Sequence, residues 1–312
     1  MGNSSVIEKV INFKCAGAAL WGILSSPPAG AATSSTAVLV VVGGPQYRVG
    51  SHRQFVLMAR SLAAAGYATL RFDYQGMGDS EGECRTFESC APDLRSAIDV
   101  LCASSPHVRR VVVWGLCDAA SAAMMFATSD PRVAGIVAAN PWARSEASLA
   151  AAQVKYYYAS RIMQREFWAK LFGGGLNWRG SIRALAGNVK SARSLKRSTQ
   201  QQQESKTFQM LMAEGLSKWR GRLLLIMSGN DLTAKEFLQY SASSAAWKGL
   251  LGGERVSRVD LAEADHTFSR RAWLREVEDE TIAWLKRLDE TAAAIAPAAW
   301  ATSARQNKDH VL

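Results

Sequence analysis

Histidine occurs only four times in the 312 residues and cysteine only five times. Neither falls in a spacing that would hold a metal. There is no Cys-x-x-Cys pair and no His-Glu-x-x-His, so no zinc site and no metal centre follow. An odd set of thiols (Cys15, Cys84, Cys90, Cys102 and Cys117) builds no disulfide framework, and free thiols fit a reducing compartment. Missing too is any stretch near the roughly 20 uninterrupted apolar residues of a membrane span. The opening MGNSSVIEKV lacks a basic segment followed by an apolar one, so it does not read as a secretory signal. Gly2 is not a myristoylation acceptor either, because Val6 stands where Ser or Thr is required. Together these absences place the expected location in the cytoplasm.

Acidic residues are scarce in one region. Between positions 145 and 220 stand thirteen lysines and arginines against four glutamates, nine of the chain's ten excess positive charges. The charge therefore belongs to a segment and not to the whole chain. Aromatic residues interleave with it, among them Tyr157, Phe167 and Trp168. One reading is attraction for an anionic small molecule, such as a carrier phosphate, coenzyme A or an acidic glycan. Peripheral contact with an anionic membrane is the other functional reading. The plainer account is a solvated face on helices whose aromatics bury inward. Nucleic acid is not implied, since no binding motif accompanies the charge.

What is abundant is alternation. Residues 6–24 alternate loosely and lead to Pro27-Pro28, as an antiparallel hairpin would. Ala37–Val42 is a continuous apolar run, the signature of a strand buried on both faces. A helical pattern over His52–Ala65 stops at Gly66, and strand and helix patterns then alternate to Ala139. They resume from Arg222 and end in a long helical pattern over Arg271–Leu288. Such alternation predicts an α/β fold with a doubly wound, mostly parallel sheet. We read residues 1–144 and 221–288 as the core, 145–220 as an inserted basic helical cap, and 289–312 as a flexible tail.

An open parallel sheet gathers reactive residues at the carboxyl ends of its strands. Three residues fall there in the order nucleophile, acid, histidine. Cys117 follows the strand VVVW, Asp231 follows LLLIM, and His266 follows RVDLAEAD. Around the first, Gly115-Leu116-Cys117-Asp118-Ala119 has the small-x-nucleophile-x-small pattern of a strained strand-to-helix turn, whose neighbours must be small. The helix that begins there would point free N–H groups at the sulphur. Taken singly, Cys117 reads equally as a buried thiol, Asp231 as a helix cap and His266 as a surface histidine. Their joint placement favours a thiol nucleophile, an imidazole base and an orienting carboxylate. An oxyanion hole would draw one N–H from Asp118 and a second from the turn Val42-Gly43-Gly44-Pro45-Gln46. Pro45 has no N–H, which leaves Gly44 or Gln46. Trp142 and Tyr157 are the residues expected against the substrate. No cofactor is implied.

Gly76-Met77-Gly78-Asp79-Ser80-Glu81-Gly82 hints at a dinucleotide loop, but its spacing is off by one and its acids would repel a pyrophosphate. The segments VGGPQ, RFDYQGMGDSEGE, SGNDLTAKEF and ADHTFS instead resemble the α/β-hydrolase superfamily. VVGGPQYRVGSHRQF, WGLCDAASAA and the NPW turn more narrowly resemble the hydrolase 1 family associated with exosortase A systems. That resemblance implies a bacterial protein serving exopolysaccharide and protein-sorting functions of the envelope. Dienelactone hydrolases are the precedent for a Cys-His-Asp set on this fold. The sequence thus points to a cysteine-dependent ester or thioester hydrolase. An acyltransferase using the same site, or a non-catalytic binding protein on the hydrolase fold, are the alternatives.

Overall fold

The computed structural model describes residues 5–44, 46–144 and 206–295. The chain divides into two compact units, one of residues 1–142 with 212–312 and one of residues 143–211. Most of the expected insertion, Tyr157 included, lies outside the described residues, as do Pro45 and positions 296–312.

In the first unit the sheet begins as a hairpin. β1 (Ile7–Cys15) and β2 (Ala18–Ser26) pair antiparallel with Cys15 opposite Ala18. Only Ala16 and Gly17 remain for the turn, both at positive φ (48° and 93°), as the twist of a two-residue hairpin loop demands. β3 (Thr36–Val41), β4 (Thr69–Phe72), β5 (Arg110–Leu116), β6 (Val133–Ala139), β7 (Arg222–Ser228) and β8 (Val256–Leu261) follow. The order across the sheet is β1-β2-β4-β3-β5-β6-β7-β8, and every pairing from β4 onward is parallel. β3 is buried at every position, which explains its unbroken apolar run.

Helices supply the crossovers: α1 (Gln54–Ala64), α2 (Ala91–Ser104), α3 (Asp118–Phe126), α4 (Phe208–Lys218), α5 (Leu232–Ser243) and α6 (Arg271–Ile295). Leu224 and Ile226 of β7 share one buried cluster with Val112 and Trp114 of β5, Phe55 and Leu62 of α1, and Trp284 and Leu285 of α6. Two boundaries differ from the sequence reading. α6 continues to Ile295, past the expected end at Leu288, because its alanines continue the helix at no side-chain entropy cost. In the sequence a helical pattern runs over Ala234–Leu251, but α5 ends at Ser243, and a short 3-10 turn at Ala245–Trp247 buries Trp247 edge-on against Phe237. No described helix is long and apolar enough to cross a membrane.

Candidate active site

The site forms where β5, β7 and β8 end. At the β5–α3 junction Cys117 adopts φ 63° and ψ −126°, a conformation that costs a non-glycine residue of order 1–3 kcal/mol. The surroundings hold it there. Cys117 N–H donates to Ala139 O (3.0 Å), and its carbonyl accepts from Trp142 N–H (3.1 Å) and Ala120 N–H (3.1 Å). The small flanking residues follow from the same crowding. A Cβ on Gly115 would lie 2.5 Å from the Ala119 carbonyl carbon and 2.6 Å from Ala120 N. Ser121, one turn further, is buried and donates to Trp142 O (2.6 Å), while Trp142 N–H lies 3.1 Å from its Oγ. Its hydroxyl is committed to that turn, and Cys117 is the residue at the apex.

Asp231 fills two roles that the sequence reading set against each other. It is the N-cap of α5, with Thr233 N–H on Oδ1 (3.0 Å) and Ala234 N–H on Oδ2 (3.2 Å). The same Oδ2 lies 2.8 Å from His266 Nδ1. The cap bonds fix the carboxylate, and the fixed carboxylate orients the ring. Asp231 is buried, whereas the His266 side chain is about one-third exposed. The proton affinity of His266 rises to about 10, first through the hydrogen bond to Asp231 and then through the neighbouring Cys117 thiol, against an opposing effect of burial. The structure therefore brings Cys117, His266 and Asp231 together.

Three residues that support this cluster were not singled out from the sequence. Asn140, buried at φ 44°, donates to Ser228 Oγ (2.9 Å) and to the carbonyl of His266 (3.1 Å), and it accepts from Ser228 N–H (2.8 Å). Ser228 Oγ in turn donates to Asp265 O (2.9 Å). The Asp265 carboxylate accepts from Thr267 N–H (3.2 Å) and Ser269 N–H (2.9 Å). These bonds tie the ends of β6 and β7 to the loop that carries His266. The NPW turn was visible in the sequence, but partners 88 and 126 positions away were not.

The turn after β3 holds the least expected arrangement. Gly44 N–H points at the Asp118 carboxylate, 2.7 Å from Oδ1 and 2.9 Å from Oδ2. A Cβ on Gly43 would collide with that same Oδ1, so only glycine lets the carboxylate in. The main-chain N–H groups of Ala119 and of Asp118 itself also support its charge. Burial nevertheless raises its carboxyl above the ordinary range, with Gly44, Ala119, its own N–H and His266 partly offsetting that rise. The sequence reading used only the main-chain N–H of Asp118; its side chain reaches across 74 positions. Gln46 N–H is engaged as well, donating to Gly44 O (2.8 Å). Trp142 is placed at the elbow by its own main-chain bonds to Cys117 and Ser121.

In a neighbouring loop the acid-rich glycine segment wraps a carboxylate of the chain itself. Asp73 is fully buried and accepts from Arg48 N–H (2.6 Å) and Asp79 N–H (3.3 Å), with the Arg48 guanidinium bonded to it as well. A Cβ on Gly78 would collide with that carboxylate. Gly78 thus makes room for an internal anion. Among the described residues no group of three or more His, Cys, Asp or Glu side chains could hold a metal ion.

Strand order, elbow and residue placement together define an α/β hydrolase, an enzyme of the hydrolase class. A family model described as serine aminopeptidase S33 matches residues 33–232, and the chain belongs to that family. The family is named for a serine enzyme, whereas this elbow carries Cys117. No sequence among the curated proteins matches the chain. Solved structures share its fold. The esterase Pf2001 of Pyrococcus furiosus is 17% identical with a TM-score of 0.60, over 90% of this chain and 91% of that one. A thermostable carboxyl esterase of Bacillus coagulans is 15% identical with a TM-score of 0.58, over 90% and 99%. XC6422 of Xanthomonas campestris, described as a serine hydrolase without lid, is 12% identical with a TM-score of 0.54, over 92% and 96%.

Proposed function

We propose that the protein is a cysteine-dependent acyl hydrolase that cleaves esters or thioesters, with Cys117 as nucleophile, His266 as acid and base, and Asp231 orienting the ring. The observation that carries this reading is the strained backbone of Cys117 at the head of α3, beside a histidine that is bonded to Asp231 and whose proton affinity Cys117 helps to raise. Near neutral pH His266 is the imidazolium, so it can protonate the departing alkoxide or thiolate as the Cys117 sulphur bonds to the acyl carbon. Having given up that proton, the neutral ring can take one from the water that releases the acid.

The ester-cleaving relatives in structure support the choice of bond. The excess of cations between positions 145 and 220 supports an anionic acyl donor, such as an acyl carrier phosphate, a coenzyme A thioester or an acidic glycan ester. Resemblance to hydrolases associated with exosortase systems supports a cytoplasmic role in bacterial envelope polysaccharide assembly. Intact-protein mass spectrometry after brief exposure to acyl-CoA thioesters and activated esters tests the reading. Wild type should carry a transient acyl adduct that is absent in Cys117→Ala and slow to form in His266→Ala. Hydrolysis that persists in Cys117→Ala would overturn it.

A further inference from the structure

We propose that Asp118 is a specificity-determining residue, a built-in occupant of the oxyanion hole that every acyl substrate must displace before Cys117 can react. The inference rests on the cysteine-hydrolase reading above. An acyl carbon attacked by Cys117 develops its negative oxygen beside the nucleophile. The donors available there are the N–H of the following residue, Asp118, and the N–H of Gly44 from the turn after β3. Those two groups already face a negatively charged oxygen pair. Gly44 N–H lies 2.7 and 2.9 Å from the two carboxylate oxygens, and the Asp118 and Ala119 N–H groups support the same charge.

The space is taken as well as the donors. Oδ1 stands where a side chain on Gly43 would be, wedged between that turn and the start of α3. A substrate carbonyl oxygen and this carboxylate would need the same N–H groups, and two negative oxygens would repel each other there. The alternative second donor is no substitute, because Gln46 N–H is bonded to Gly44 O. The hole is therefore complete in its donors and shut by its own neighbour, in the manner of a bound product acid. Donors that cannot draw or push the carboxylate aside are filtered out, however nucleophilic the thiol.

The test compares two reactions of one sulphur. Acylation by p-nitrophenyl acetate builds charge on a carbonyl oxygen and needs the hole; alkylation by iodoacetamide builds none and does not. Both use the same Cys117 thiolate, so the ratio of their rates cancels any change in its ionisation. Each is followed by mass on the peptide Val111–Arg132, in which Cys117 is the sole cysteine. Restoring a donor to use is worth about 10²–10³-fold in comparable sites. Asp118→Ala should therefore raise the acylation-to-alkylation ratio at least about tenfold, with Asp118→Asn between it and wild type. A ratio that falls in Asp118→Ala while Asp118→Asn stays at the wild-type value would mean that the carboxylate merely clamps the turn, and would overturn the proposal. An unchanged ratio in both overturns it too, leaving Cys117 as nucleophile. If Cys117 is alkylated but takes no acyl group in any of the three proteins, both the filter and the cysteine-hydrolase reading fall.

Discussion

At the scale of single residues, His266 sets the pH behaviour. Its proton affinity is raised from an ordinary value near 6.5 to about 10 by Asp231 and Cys117. The folded state thus binds a proton that the unfolded chain releases earlier. The resulting stabilisation is fully present below about pH 6.5, declines as the pH rises above that, and is gone once the pH passes about 10. Urea unfolding of wild type and His266→Asn at pH 6 and at pH 10.5 checks this. The stability difference between them should be clear at the lower pH and shrink at the higher one. A difference that grows with pH would mean that the ring is held neutral.

Among the elements, the loop after β8 depends on contacts that no local pattern encodes. Asn140 supplies three hydrogen bonds from one buried amide, to Ser228 N–H, Ser228 Oγ and the His266 carbonyl. Asn140→Ala leaves a buried N–H and carbonyl unpaired, which should cost about 1–3 kcal/mol of stability. It should also lower kcat for ester hydrolysis, because the His266 loop loses its tie to β6 and β7. Asn140→Asp, which retains the acceptor for Ser228 N–H, should recover part of the stability but not the bond to the His266 carbonyl. Chemical denaturation and steady-state kinetics on the three proteins separate the two effects.

The same scale shows what was legible in the sequence. Cys117, Asp231 and His266 could be named because each lies just past an apolar strand, and parallel strands deliver their ends to one edge. The crowding at Gly115 and Ala119 was readable as well, since it acts within one turn of chain. Asp118 was read without its partner because Gly44 is 74 positions away, and no periodicity marks a carboxylate that crosses between loops. Asn140, Ser228 and Asp265 escaped for the same reason: buried side-chain bonds obey geometry, not spacing. The elements themselves were easier, because burial on both faces or on one leaves a period in the residues. Ends were harder, as the run of α6 to Ile295 shows, where alanine carries neither a stop signal nor a polar face.

For the molecule as a whole, the proposal of an anionic acyl donor rests on charge. Nine of the ten excess positive charges stand between positions 145 and 220, and the remaining chain is close to neutral. A field set up by one cationic segment speeds encounter with anions and is screened by salt, since the Debye length falls from about 30 Å at 0.01 M to about 10 Å at 0.1 M. If that segment selects anionic acyl donors, kcat/KM for an acyl-CoA thioester should fall about tenfold between 0.02 and 0.5 M sodium chloride. For neutral p-nitrophenyl acetate the change should stay within about twofold, because no long-range force guides it. The comparison isolates steering from any general effect of salt on the fold, which would slow both donors alike. Parallel profiles would instead assign the cations to solvation, and the preference for a substrate would then rest on the elbow and on Asp118 alone.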